Sequence, residues 1–198
     1  MEMVYEGTAK KLFKTEKADE LLVYYKDDAT ALNGLKKGTI MNKGVLNNRI
    51  TAFFFDLLAK EGIPHHMIKR VSDREMLVKK VEIILIEVIT RNVAAGSLAK
   101  RLGLPEGTKL AAPVIEFSYK NDELGDPMIN DYHIRAINLA TEEEVAKIKE
   151  YALKINDVLI KYLATKNIEL IDFKLEFGRY NGEVILADEI TPDTCRLW

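Results

Sequence analysis

Between Leu170 and Trp198 the chain interleaves ionisable residues with apolar ones: Asp172, Lys174 and Glu176 alternate with Ile171, Phe173, Leu175 and Phe177. A period of two is that of an extended strand, here with three ionisable groups on one face and a wholly apolar opposite face. The turn signal Asn181-Gly182 separates it from a second apolar stretch, Glu183 to Ala187, which delivers two more carboxylates at Asp188 and Glu189. Glu176 and Asp188 flank one hairpin, with Lys174 two positions before the first. That combination suits a Mg²⁺ nucleotide site, which takes hard oxygen donors from few residues and a cation to hold phosphate oxygens. A solvated edge strand is the plainer reading, and the strongly apolar return strand argues against it.

Counting along the hairpin adds a geometric condition. A two-residue loop sets Tyr180 opposite Glu183 and Glu176 opposite Ala187, so that Asp188 points to the other face. A metal shared by Glu176 and Asp188 then calls for one extra residue, either a three-residue loop of Tyr180, Asn181 and Gly182 or a bulge near Gly178.

A second candidate lies at Arg91 and Ser97, which bracket an Ala-Ala-Gly stretch leaving a buried strand and entering a helix. Small residues let backbone amides approach a ligand, a helix N-terminus favours an anion, and arginine offers a planar fork to phosphate oxygens. The bland alternative makes Ser97 a helix N-cap and pairs Arg91 with a structural carboxylate such as Glu87. Taken alone, Gly7 reads as an ordinary hairpin turn and Lys10 as a solvated lysine. Lys120, Asp122 and Asp126 fall in a polar loop. The histidines His65, His66 and His133 form no zinc-spaced set or nucleophile triad, and Cys195 reads as a passenger.

The chain has 198 residues, 47% of them hydrophobic, enough for one large domain or two small lobes with a buried core. A formal net charge of -2 leaves no basic surplus for a nucleic-acid backbone. The single cysteine excludes an intramolecular disulfide, and no apolar run reaches the length of a membrane span or follows a basic leader. The sequence reads as that of a soluble, cytoplasmic protein.

Strands are expected at Met3 to Tyr5, Lys11 to Lys14, Leu21 to Tyr25, Met67 to Val71, Met76 to Val81, Ile83 to Arg91 and Val114 to Ser118. A helix is expected from Asn42 to Lys60, with Leu46, Ile50, Phe53, Phe54, Leu57 and Leu58 as its buried stripe. Thr141 and Glu144 make a capping box for a second long helix, whose stripe is Val145, Ile148, Ala152, Ile155, Leu159 and Tyr162. The fold class is α+β. Residues 1–81 read as an antiparallel β lobe and 82–198 as a larger α+β lobe.

Four segments together resemble the phosphoribosylaminoimidazole-succinocarboxamide synthases, or SAICAR synthetases. They are Tyr5 to Lys10, Glu87 to Ser97, Lys120 to Asp122 with Asp126-Pro127, and Asp172 to Gly178 with Ala187 to Trp198. The resemblance implies a two-lobed fold with an ATP cleft related to those of ATP-grasp enzymes and protein kinases. It implies an ATP-dependent ligase that condenses the ribonucleotide CAIR with L-aspartate to give SAICAR, ADP and phosphate in purine biosynthesis, through an acyl phosphate. On the same basis Gly7, Thr8, Lys10, Lys79, Val81 and Glu82 would bind ATP, the last three by the segment that joins the lobes. Many members carry a lysine where this chain has Thr8. Arg91, Ser97 and Arg196 would hold the CAIR phosphate, Lys120 and Asp126 would line the CAIR and aspartate pocket, and Glu176 and Asp188 would ligate Mg²⁺. Lys174 would stabilise phosphoryl charge, and Asp172 would orient Lys174 or the CAIR amine, or serve a structural salt bridge. The resemblance further implies a homodimer and, in members, a helical segment beyond the position of Trp198. A small-molecule kinase using the same cleft and an inactive nucleotide-binding protein are the alternatives.

Overall fold

The computed structural model describes residues 2–31 and 36–198. The first half of the chain gives β1 (Met3–Glu6), β2 (Lys10–Lys14), β3 (Glu20–Tyr25), β4 (Asp28–Ala31), β5 (Lys36–Thr39), α1 (Lys43–Lys60), β6 (Met67–Arg70), β7 (Glu75–Lys79) and β8 (Glu82–Val93). It continues with α2 (Gly96–Leu102), β9 (Lys109–Tyr119), β10 (Met128–Ile129), α3 (Asp131–Ala136), α4 (Glu142–Ala164), β11 (Leu170–Tyr180), β12 (Glu183–Ala187) and β13 (Cys195–Leu197). The α+β class expected from the sequence is what is observed.

The N-terminal strands form an antiparallel sheet in the order β1-β2-β3-β7-β6, and the later ones a sheet in the order β10-β9-β8-β11-β12. β13 pairs with residues Leu170 to Phe173 of β11, while β12 pairs with Glu176 to Tyr180. Both lie across β11 from β8, so the chain leaves this edge after Ala187 and rejoins it at Cys195. In the gap Lys174 N donates to Thr194 O at 2.8 Å.

The alternation read in β11 is observed: Phe173, Leu175 and Phe177 enter the main core with Ile148, Ile155 and Leu159 of α4, leaving Asp172, Lys174 and Glu176 for the other face. α4 begins with the expected capping box, Thr141 Oγ1 accepting from Glu144 N at 3.1 Å. α1 departs from expectation. It buries Gly44, Asn47, Asn48, Thr51, Phe54, Phe55 and Leu58, and leaves Leu46 and Phe53 exposed. The polar residues turn inward because each finds a partner there. Asn47 donates to Asp193 Oδ2 at 2.8 Å, Asn48 to Ser72 O at 2.9 Å, and Thr51 to Ile190 O at 3.3 Å. A buried polar group with a partner avoids the desolvation cost that the apolar stripe alone would predict.

Val81, between the two sheets, presses on β11 at Gly178. A Cβ at Gly178 would lie 2.6 Å from Val81 Cγ2 and 3.0 Å from Glu82 O, so only glycine lets the connection approach so closely.

Candidate active site

A cleft of about 490 Å³ lies where the two sheets meet. One end has apolar walls from Leu12, Leu21, Val23, Val78, Val81 and Ile83; the other carries Lys10, Lys120, Lys174, Glu176, Asp188 and Glu189. Gly7, Thr8 and Lys79 line it as well. An apolar slot that opens onto paired charges is the form of a pocket for a base joined to phosphates.

The charged end is built from strand positions far apart in sequence. Lys10, first residue of β2, bonds Asp188 Oδ1 and lies 3.7 Å from Glu189 Oε1. Lys120, just after β9, donates to Glu176 Oε1 at 2.9 Å. Lys174 bonds Glu87 of β8 and lies 3.8 Å from Glu176. Burial depresses the basicity of Lys10, and the Asp188 and Glu189 carboxylates more than restore it, so the amine is held well above its ordinary value. Burial alone would raise Asp188, yet Lys10 pulls it below the usual carboxylate range. Glu176 goes the other way, raised by burial and by the charge of Asp188. Burial pushes Glu189 up to about 7, and its Oε2 has no hydrogen-bond partner.

The hairpin that carries two of these groups corrects the register expected from the sequence. There is no three-residue loop and no bulge between β11 and β12: Tyr180 faces Glu183 and Glu176 faces Ala187, across a turn with Asn181 and Gly182 both left-handed. The irregularity near Gly178 lies on the other side, between β11 and β8. Glu176 and Asp188 nonetheless line the same cleft, because Asp188 itself is left-handed at φ 56°. That rotation breaks the alternation of side chains as an inserted residue would.

A second cluster crosses three strands on the same face of β11. Asp172 sits opposite Arg91 of β8 and Arg196 of β13. The Arg91 guanidinium donates to Asp172 Oδ2 at 3.1 Å, to Glu116 Oε2 at 2.7 Å and to Ser97 Oγ at 3.0 Å. Arg196 Nη1 is buried, 3.6 Å from Asp172 Oδ2, with no hydrogen bond of its own. Burial raises the Asp172 carboxyl, and the two arginines draw it back only in part. The N-cap of α2 is Ala95, so Ser97 is not the cap, and Arg91 takes Glu116 and Asp172 rather than Glu87. An arginine with unspent donors beside a hydroxyl is ready to receive an oxyanion.

Some expected contacts are absent. Asp172 does not reach Lys174, whose partner is Glu87. The Glu82 side chain turns outward to Arg179, 3.0 Å away. Asp126 does not line the cleft; its Oδ1 accepts from Asn121 N at 2.8 Å and shapes the loop that follows Lys120. Lys79 reaches the cleft and covers the ring of Tyr180, 5.3 Å from its centroid. His66, Glu87 and Glu116 carry weight that the sequence did not reveal. A glutamate within a strand read as buried was the available signal for Glu87, since a buried carboxylate demands a partner; Glu116, half-buried in β9, gave none. His66 gave none either.

A profile of the SAICAR synthetase family matches residues 3–198. The chain belongs to this family. It is 60% identical over 197 residues to the phosphoribosylaminoimidazole-succinocarboxamide synthase of Caldanaerobacter subterraneus subsp. tengcongensis, covering 100% of this chain and 84% of that relative. The phosphoribosylaminoimidazole-succinocarboxamide synthase of Ehrlichia chaffeensis superposes with a TM-score of 0.97 at 47% identity, covering 100% of this chain and 85% of that one. A SAICAR synthetase solved in complex with ADP gives a TM-score of 0.96 at 50% identity, over 100% of this chain and 84% of that one.

Proposed function

We propose that the chain is an ATP-dependent ligase that joins CAIR and L-aspartate to give SAICAR, ADP and phosphate, and that the two charged clusters on one face of β11 are its two binding stations. The observation that carries this is their placement. Asp172 and Glu176 are four residues apart on a strand, about 13 Å at roughly 3.3 Å per residue, the scale of a mononucleotide. A ribonucleotide held by its phosphate at one cluster can present its carboxylate to a nucleotide at the other. Membership of the family and the ADP complex of a relative support the reading.

Residues 1–81 cover ATP, with Gly7, Thr8 and Lys10 over the phosphates and backbone of the Lys79 to Glu82 segment toward adenine, while 82–198 hold metal and substrate. The donor set fits Mg²⁺. Four carboxylates, Glu87, Glu176, Asp188 and Glu189, face three lysines, and the unpartnered Glu189 oxygen marks a surplus of negative charge. Mg²⁺ at nucleotide sites is usually held by one or two carboxylates, with substrate phosphates and water completing the set. Glu176 and Asp188 would be those two, and the ion supplies charge neutralisation and alignment of the phosphates.

A carboxylate acylates an amine only once one of its oxygens can leave, and transfer of a phosphoryl group to CAIR provides this as an acyl phosphate. Lys10 and Lys174 stabilise the transferring charge. Arg91, Ser97 and Arg196 hold the CAIR phosphate, and Asp172 orients both arginines. Lys120 faces the carboxylates at the mouth of the cleft, and Asp126 sets the turn that carries it toward aspartate. On the resemblance, we assign a cytoplasmic homodimer; no helix among the described residues is long and apolar enough to cross a membrane. Measuring ADP release with CAIR and aspartate omitted in turn tests the reading. Turnover that continues without aspartate would instead identify a kinase, and none with all three substrates an inactive binding protein.

A further inference from the structure

His66 lies between α1 and β6, 7% exposed, in the wall of the cleft. Its Nε2 is 3.1 Å from the carbonyl oxygen of Asp188. A carbonyl oxygen can only accept, so Nε2 carries the hydrogen. The backbone around His66 is tied to the same strand: His66 N donates to Leu186 O at 2.9 Å, and Leu186 N to Pro64 O at 2.9 Å. Phe55 meets the ring edge-on at 5.7 Å between centroids. The donor is therefore fixed relative to β12 from several directions.

The group it holds is the one whose conformation decides the site. With Glu176 opposite Ala187, continued extension would carry the Asp188 carboxylate away from Glu176; at φ 56° it turns back into the cleft. A left-handed aspartate is disfavoured by about 1–2 kcal/mol, and such a residue persists where its surroundings over-determine it.

We infer that His66 is a positioning residue for Asp188: its Nε2–H holds the carbonyl of the left-handed residue and so keeps the carboxylate on the Glu176 side of the cleft. The consequence for metal binding rests on the assignment of Glu176 and Asp188 as ligands; the conformational part rests on geometry alone.

Two variants separate these. His66→Gln offers an amide N–H near the place of Nε2–H, whereas His66→Phe keeps ring volume and removes the donor. ADP affinity is measured by calorimetry with Mg²⁺ and with EDTA. The wild type and His66→Gln are expected to tighten alike on adding Mg²⁺, and His66→Phe to lose about tenfold of that gain with its metal-free ADP affinity unchanged, the effect of one buried hydrogen bond. Full Mg²⁺ tightening in His66→Phe overturns the inference. If the Phe variant does not fold, His66→Asn, a methylene too short to reach, takes its place with the same expectation. No Mg²⁺ tightening in the wild type would instead refute the ligand assignment. The inference is then decided by a crystal structure of the donor-less variant, where a negative φ at residue 188 is expected and a retained left-handed φ overturns it.

Discussion

Arg196→Ala is the sharpest test of the anion station, because the structure separates its binding role from its structural one. Arg196 is 39% exposed at the side chain, and Asp172, its one ionic neighbour among the described residues, is 3.6 Å away and keeps the 3.1 Å hydrogen bond from Arg91. Loss of this pair, too long for a hydrogen bond and exposed on the arginine side, costs about 1 kcal/mol, or roughly 2–4 °C in Tm for a chain of this size. Loss of a charge-assisted contact to phosphate costs about 1.5–3 kcal/mol, a rise of roughly ten- to a hundredfold in the KM for CAIR. Arg91→Ala should behave differently. It strips the buried Asp172 of its hydrogen-bonded partner, while Glu116 keeps Arg101, and removing one member of a buried ion pair costs about 3–5 kcal/mol. Its Tm should therefore fall several times further than that of Arg196→Ala. The assay is steady-state kinetics with each substrate varied, alongside thermal unfolding of both variants. A KM for ATP that rises as much as that for CAIR in Arg196→Ala, or no rise for either, refutes the station.

Oxygen-18 placed in the CAIR carboxylate should appear in the released phosphate, and unlabelled phosphate would exclude the acyl-phosphate route. Gly178→Ala should cost about 1–3 kcal/mol through overpacking against Val81 and the Glu82 carbonyl, and Val81→Ala in the same chain should recover only part of it, because alanine keeps the Cβ that would lie 2.8 Å away; a single variant as stable as the wild type in denaturant titration would contradict the close approach. Asp27 accepts from the Arg74 guanidinium at 2.6 Å and from Gly44 N at 2.9 Å at the start of α1, which hold its carboxyl at about 2, against 3.8 for the free group. A depressed carboxylate stabilises the fold above its unfolded pKa and stops doing so as pH falls through the folded one. The Tm difference between wild type and Asp27→Asn should thus be full above about pH 4 and vanish near pH 2, and a constant difference across that range would refute the pairing.

Much of this protein is local and was legible as such. The alternation through Asp172, Lys174 and Glu176 set the strand and its charged face, because side chains in a strand point alternately whatever packs on them. The Thr141 and Glu144 capping box fixed the start of α4 for the same reason: the atoms that satisfy one another lie within a single turn. The buried face of α1 was decided elsewhere. Asn47, Asn48 and Thr51 face inward only because Asp193, Ser72 and Ile190 from two other segments meet them, so hydrogen bonding across the fold overrode the apolar period. The partners of the site residues were hidden for the same reason, since Glu87 for Lys174 and Glu116 for Arg91 are neighbours only once β8, β9 and β11 share a sheet. Asp188 shows the limit most clearly. The sequence placed a turn at Asn181-Gly182 but allowed a loop of two or three residues, and a metal shared by Glu176 and Asp188 called for an extra residue that the regular hairpin does not have. The tertiary structure brought them into one cleft, with a single left-handed residue bonded by Lys10 at its carboxylate and by His66 at its carbonyl, two partners that approach from the other sheet and from the segment after α1.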